Sequence, residues 1–302
     1  MKISFIVNHI YLNDGWSPWD KRLGGSEECV KEWTRRLAKN HSVSVYHNGK
    51  HGTFENVRYL AHENYKPGDI TINVNYPEFE PQGPTVYWSS LTKNGDVSKF
   101  DATVALSDFA LDYTDIPVDS FIVEPGYDPT EVYPGQKIAK QCFYGSSPDR
   151  GLDILLGAWG VVHQAHPDAT LLVTYGGEID LPGVINLGEV DEATMNDVYR
   201  TSDIWAYPCT GIELYCMTGK KAQVAGCLPV IIPNMALKET VARGFMVDKP
   251  QDYAQSLIEV LNMPMKARDT ARRTVQSHAN ALTWDQSTAK LFQIIRNVIQ
   301  ST

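Results

Sequence analysis

The sequence predicts an α/β protein made of two doubly wound parallel-sheet domains. Three observations predict it. Short runs rich in Ile, Val and Phe recur along the chain without strict alternation, as expected of strands covered on both faces. Amphipathic helical segments alternate with many of them, the rhythm of βαβ units. A Pro/Gly-rich break, PGYDPTEVYPGQKIAK at 125–140, interrupts the rhythm once, and it then restarts.

In order, strands are expected at 3–7, 43–46, 70–74, 86–88, 103–106 and 121–124. A helix is expected over 27–39, where Val30, Trp33 and Leu37 share a face. Ser26 is its expected N-cap, and Glu27 and Glu28 lie in the first turn, where the helix dipole favours negative charge. The irregular 13–25 segment before it, with three Gly and two Trp, is too long for a plain turn and reads as part of a cleft. Beyond the break come a strand end at 142–145, a helix at 152–164, strands at 170–175 and 184–187, and a helix at 192–201. The chain finishes with an apolar stretch at 241–246 and helices at 252–261, 266–279 and 284–299. The domain division is placed at 1–135, 136–283 and a terminal helix, 284–302.

Between these lies the stretch that carries most chemistry. A strand at 203–207 breaks at Pro208 into a polar loop, Glu213 follows, a helix runs over 217–225 to Gly226, and a strand begins at Leu228. In open α/β sheets, ligands sit beyond the carboxyl ends of strands, with anions against helix N–H groups. An ordinary crossover with an exposed Glu would have the same pattern.

Composition narrows the classes. The chain has 302 residues, enough for two domains or one large one, and its 43% apolar and 21% charged residues are those of a soluble globular protein. A net charge of −9 gives no general attraction to a polyanion, so no stable nucleic-acid partner is expected. Five scattered cysteines without a C-x-x-C pair suit reduced thiols and give no zinc signature. The opening MKISFIVN reads as a buried strand rather than a leader, and a cytoplasmic location is expected. The first strand leads into Asn8-His9-Ile10, not G-x-G-x-x-G, which argues against a dinucleotide oxidoreductase.

Seven stretches, in order, resemble the retaining glycosyltransferases of family four. They are GGSEECVKEWTRRLAKNHSVSVY (24–46), LSDFALDY (106–113), VEPGYDPTEVYPG (123–135), YGSSPDRGLDILLGAW (144–159), LGEVDEATMNDVYRTSDIWAYP (187–208), ELYCMTGKKAQVAGCLPVI (213–231) and TWDQSTAKLFQII (283–295). The resemblance implies the GT-B architecture, two Rossmann-like domains facing across a cleft, with the terminal helix packing back on the first domain. At 302 residues the chain resembles the short versions carried by bacteria and phages.

Site residues follow from the same likeness. Gly24 and Gly25 would lie against the donor diphosphate and acceptor. In the 145–151 loop the family places Gly, then Arg, then a second basic residue. Here Gly145 and Arg150 match, while Ser146 or Ser147 stands where the first Arg is expected. Arg150 would stabilise charge on the departing diphosphate. The E-x7-E motif begins at Glu213, which would hold the donor sugar, but its second position is Lys221, so E-x7-K leaves the ribose contact open. Lys221 could face the phosphates as a point charge or, with Lys220, belong to a solvated helix face. Tyr215, Cys216, Met217 and Thr218 would offer the helix start to phosphate. The family often has a His after the strand at 86–88, where this chain has Ser89-Ser90, so no general base is assigned. His9, Trp16, Trp19 and Asp128 read as structural, and Lys266, Arg268, Arg272 and Arg273 as a solvated face that could meet acidic lipid or nucleic acid.

The expected function is transfer of a sugar from a UDP- or GDP-sugar to a hydroxyl of a glycan, lipid or other acceptor, with no cofactor or metal and possible peripheral membrane contact. The alternatives are a catalytically impaired sugar-nucleotide or glycan-binding relative and a transferase acting on modified DNA bases.

Overall fold

A computed structural model describes residues 1–7, 16–114, 116–117 and 120–302. The chain divides into two compact units, Met1–Gly126 with Leu282–Thr302, and Tyr127–Ala281. The first break therefore falls at 126/127, where the sequence suggests 135/136. His9 and part of the 13–25 loop lie outside the described residues.

The first unit holds an eight-stranded sheet in the order β3-β4-β2-β1-β5-β6-β7-β8. The strands are β1 (Lys2–Val7), β2 (Ser42–His47), β3 (Gly52–Phe54), β4 (Val57–Ala61), β5 (Ile70–Val74), β6 (Thr85–Trp88), β7 (Ala102–Ala105) and β8 (Phe121–Ile122). All pairs are parallel except β3–β4. Central β1 sets Ile3 opposite both Val43 and Ile70, and these strands are buried on both faces as their composition predicts. The β3–β4 hairpin is not anticipated by the sequence. Its two-residue loop, Glu55-Asn56, has both residues left-handed (φ 44° and 66°), a geometry usually signalled by Asn-Gly.

Helix α1 (Gly25–Leu37) covers this sheet together with α9 (Trp284–Ser301). Trp33 of α1 meets Trp88 edge-on at 5.2 Å and Trp284 at 6.4 Å. Its indole N–H donates to Ser287 Oγ (2.9 Å), and that hydroxyl donates to the Glu124 carbonyl (2.6 Å). A capping box of Thr283 and Gln286 starts α9. The short α2 (Asp108–Tyr113), capped by Ser107 Oγ, is also not anticipated as an element.

The second unit holds a six-stranded, wholly parallel sheet. Two-residue strands β9 (Gly126–Tyr127) and β16 (Leu282–Thr283) lie where the chain passes between units. The sheet strands are β10 (Ile138–Tyr144), β11 (Thr170–Val173), β12 (Val184–Asn186), β13 (Ser202–Tyr207), β14 (Leu228–Ile231) and β15 (Phe245–Met246), in the order β12-β11-β10-β13-β14-β15. Strand β10 begins inside the segment read as a linker, because its first residues are exposed and lack an apolar pattern. Helices α3 (Leu152–Ala165), α4 (Glu192–Thr201), α5 (Met217–Val224), α6 (Leu237–Thr240), α7 (Tyr253–Asn262) and α8 (Met265–His278) complete the unit. Its core gathers Phe143, Tyr144, Leu155, Trp159, Trp205 and Tyr207, all essentially inaccessible.

One expectation is overturned here. Arg268 and Arg272 are not on a solvated face: their guanidinium groups bind the two oxygens of Asp203 (2.5 and 2.6 Å), a carboxylate buried in β13. A buried carboxylate needs such partners, and two arginines one turn apart on α8 provide them. Among the described residues no helix is long and apolar enough to cross a membrane, and no group of three or more His, Cys, Asp or Glu could hold a metal ion.

Candidate functional site

In the second unit, β10 has β11 on one side and β13 on the other, so its carboxyl end is where the strand order reverses. Doubly wound sheets bind ligands at such a point. Two loops meet there, the one after β10 (145–151) and the one after β13 (208–216).

The first loop turns through a short 3-10 segment, Pro148–Arg150, into Gly151, the N-cap of α3. Gly151 has φ +93°, and a Cβ there would stand 2.2 Å from the Pro208 carbonyl oxygen. Only glycine admits both the left-handed backbone and the contact between loops. Tyr144 Oη donates to the Ser147 carbonyl (2.7 Å), and Thr218 Oγ1 donates to the Gly145 carbonyl (3.2 Å). Thr218 therefore ties α5 to this loop. The fold brings Arg150 beside Glu213, Nη1 to Oε2 at 3.7 Å, with side chains 29% and 16% exposed. That is beyond hydrogen-bond reach, and Nη1 is buried without a hydrogen-bond partner among the described residues.

Tyr207, at the end of β13, supplies what the sequence did not suggest. Its hydroxyl donates to Glu213 Oε2 (2.9 Å) and lies 3.4 Å from Ser146 Oγ. Burial, then the neighbouring Cys216 and Glu213, push its pKa far up, so it remains a hydroxyl and a donor. Burial disfavours the Arg150 charge, but Glu213 and its neighbours outweigh this and hold the pKa above its ordinary value. The tyrosine's place just before a strand-ending proline is the only sequence signal that could have marked it.

The N-cap of α5 is Cys216, left-handed at φ 69°, and no side chain caps the helix. The first-turn N–H groups of Met217 and Thr218 have no intrahelical acceptor, and an anion there would be favoured by position. Tyr215 and Cys216 are buried, and burial raises the Cys216 thiol well above its usual range, so it stays neutral. Lys220 and Lys221 are both buried, which overturns the solvated-face reading. Lys220 is a structural anchor, donating from Nζ to the Ala279 carbonyl (3.0 Å).

In the first unit the corresponding reversal lies between β1 and β5, at the start of α1. The helix begins at Gly25 with Gly24 as N-cap, so Ser26 is inside it and not the cap. The Ser26 hydroxyl is engaged elsewhere, with Ser90 Oγ at 2.7 Å. Asn75 Nδ2 donates to that same Ser90 oxygen (2.9 Å), and the Ser90 N–H donates to Asn75 Oδ1 (2.7 Å). Glu27 folds back so far that a Cβ on Gly24 would lie 2.5 Å from its Oε2. This carboxyl is 9% exposed, and burial, partly offset by its own backbone N–H, raises its pKa. The sequence marked Glu27 only as a first-turn acid; its burial was not legible there. Trp16 is buried against His47 and Tyr59, Trp19 packs on Phe54 and Tyr59, and Asp128 accepts from the Thr130 N–H and hydroxyl, all structural roles.

No family model matches the chain. A D-inositol 3-phosphate glycosyltransferase from Segniliparus rotundus is 27% identical over 213 residues, 59% of this chain and 47% of that protein. A phosphatidyl-myo-inositol mannosyltransferase from Mycolicibacterium smegmatis is 26% identical over 166 residues, 50% of this chain and 42% of that protein. The chain thus matches less than half the length of either relative. Among solved structures, the sucrose-phosphate synthase of Thermosynechococcus elongatus superposes over 100% of both chains with a TM-score of 0.75 at 13% identity. Anabaena HepE in complex with UDP-glucose superposes over 98% of this chain and 100% of its own (TM-score 0.73, 15% identity). AviGT4, a glycosyltransferase involved in avilamycin A biosynthesis, superposes over 100% of this chain and 98% of its own (TM-score 0.69, 16% identity). The fold is the α/β GT-B fold with two Rossmann-like parallel-sheet domains.

Proposed function

We propose that this protein is a glycosyltransferase that moves a sugar from a nucleoside-diphosphate sugar to an acceptor hydroxyl, with retention of anomeric configuration and without a metal. The observation that carries the reading is Arg150, a guanidinium with a buried, unmet N–H, beside Glu213 at the switch point of the second sheet. The names of the two sequence relatives and the UDP-glucose bound by HepE support the same reading.

In this scheme Arg150 and the first turn of α5 hold the diphosphate. The anomeric C–O bond breaks with its electron pair passing to the diphosphate oxygen, and the acceptor oxygen bonds to the anomeric carbon on the same face while its hydroxyl proton passes to that departing diphosphate oxygen. Negative charge grows on the leaving oxygen, where a preorganised cation acts most strongly. Glu213, held by Tyr207, accepts hydrogen bonds from donor-sugar hydroxyls. Gly24, Gly25 and Glu27 belong to the acceptor side, and no side chain is assigned as general base. The acceptor is a hydroxyl of a glycan, a lipid or another molecule.

The test is incubation with labelled UDP- and GDP-sugars, without and then with acceptors bearing free hydroxyls. Slow release of the nucleotide from one donor, faster with acceptor, is the expected result; no binding of any nucleoside diphosphate would end the proposal. A second reading rests on Lys221, which replaces the second carboxylate of the E-x7-E pattern. It makes the chain a sugar-nucleotide-binding protein, and tight donor binding with no turnover would favour it.

A further inference from the structure

Glu213 sits on a stretch, 208–216, that has no helix or strand of its own. Its geometry must come from what packs on it. Strand β14 runs parallel to β13, so the loop that follows it emerges at the same end of the sheet. This loop turns through 232–236 into α6, and two hydrogen bonds cross from it to the Glu213 stretch. Asn234 Nδ2 donates to the Gly211 carbonyl (2.9 Å), and the Ala236 N–H donates to the Glu213 carbonyl (3.2 Å). They fall on either side of Ile212 and pin the stretch at two points. The turn that delivers them is tightly specified. The Asn234 N–H donates to the Ile232 carbonyl (2.8 Å), the Asn234 carbonyl accepts from the Leu237 N–H (2.9 Å), and Met235 is left-handed at φ 48°. A residue other than glycine keeps that backbone only where its surroundings impose it. Ala236 and Leu237, next in the chain, are fully buried and root the turn in the core.

The pinned stretch in turn touches Arg150. A Cβ on Gly211 would lie 3.4 Å from Arg150 Cδ and 3.5 Å from the Asp149 carbonyl oxygen, so Gly211 walls the arginine's stem. The guanidinium makes no hydrogen bond at Nη1 among the described residues, and its ion pairs with Asp149 and Glu213 are 3.8 and 3.7 Å long. Pairs of that length leave its position to packing. We propose that Asn234 is a positioning residue for sugar transfer: through the Gly211 carbonyl it holds the Glu213 stretch against the Arg150 stem, and so keeps the guanidinium where the departing diphosphate forms. The proposal rests on the reading of this site as a nucleoside-diphosphate-sugar site. A carbonyl oxygen only accepts, so the amide nitrogen of Asn234 faces Gly211, and a side chain without a donor there breaks the contact.

The experiment is a double-mutant cycle read by calorimetric titration with UDP and with GDP. The proteins are the full wild-type chain, Asn234→Ala, Arg150→Ala and the double variant. Asn234→Ala should weaken binding of the preferred nucleotide about fivefold, the worth of one hydrogen bond. In the Arg150→Ala background the same change should cost less than twofold, because no guanidinium remains to be placed. A substitution that merely loosened the fold would act alike in both backgrounds. Equal losses in the two would therefore make Asn234 a structural residue and overturn the proposal, as would binding by Asn234→Ala within twofold of wild type. Asn234→Asp, close in shape and unable to donate once ionised, repeats the cycle at neutral pH should the alanine variant not fold. A wild-type protein that binds neither UDP nor GDP would instead end the reading on which the proposal rests.

Discussion

Arg150→Ala removes a guanidinium that stands 3.7 Å from Glu213 and carries a buried, unmet N–H. At an effective dielectric near 20 the bare attraction is about 4 kcal/mol. Side chains 29% and 16% exposed are partly screened, and measured pairs of this kind fall toward about 0–1 kcal/mol. The unmet donor costs the free protein roughly 1–3 kcal/mol in the opposite sense. The second term is the larger, so the variant should be at least as stable as wild type, by up to about 3 kcal/mol. Binding is different. A diphosphate would supply the missing acceptor, and charge-assisted hydrogen bonds contribute roughly 1.5–3 kcal/mol. At about 1.4 kcal/mol per tenfold, UDP should bind roughly 10- to 150-fold more weakly to the variant. Titration calorimetry with UDP, paired with urea unfolding of both proteins, measures the two quantities separately. A UDP affinity within twofold of wild type would remove Arg150 from the phosphate site; a loss of several kcal/mol in stability would make it a structural residue.

Other substitutions test neighbouring parts of the argument. Glu213→Gln and Tyr207→Phe should each reduce donor use about tenfold or more, one by weakening the acceptor of sugar hydroxyls and the other by releasing it; wild-type donor kinetics in both would dissolve the pair. Gly151→Ala forces a Cβ to 2.2 Å from the Pro208 carbonyl in a left-handed backbone, and should cost about 1–3 kcal/mol in urea unfolding or shift the two loops apart. Asp203→Ala leaves Arg268 and Arg272 without their buried partner and should cost about 3–5 kcal/mol in the same measurement. Glu27 has a folded-state pKa raised above 4.5, so its neutral form favours the fold and wild-type stability falls as pH rises through the raised value. Glu27→Gln should therefore raise the melting temperature at neutral pH, with the gain shrinking toward pH 4; a gain independent of pH would contradict the assignment.

The main strands, the α1 face and the Glu213 stretch were legible because burial on both faces and helical periodicity leave composition signals. What escaped has physical reasons. The β3–β4 hairpin turns through Glu55-Asn56, where a glutamate, which rarely announces a left-handed residue, opens the turn and no glycine follows the asparagine. The Tyr207 hydroxyl and the Ser26–Ser90–Asn75 contacts join residues from separate strands and helices, which local patterns cannot pair. The basic run on α8 looked solvated because its partner, Asp203, lies 65 positions before Arg268 in the chain. The burial of Lys220 and Lys221 escaped for the same reason: only the packed helix shows it.

The first unit is made of two pieces, 1–126 and 282–302, with the whole second unit encoded between them. During synthesis, the eight strands of its sheet are translated before α9, with residues 127–281 emerging between them. Through that interval Trp33 lacks both Trp284 at its edge and the Ser287 hydroxyl that its indole N–H meets in the finished protein. The second unit, contiguous in the chain, has every one of its strands before α9 is translated. The first unit is thus completed in the chain only after the whole of the second has been translated.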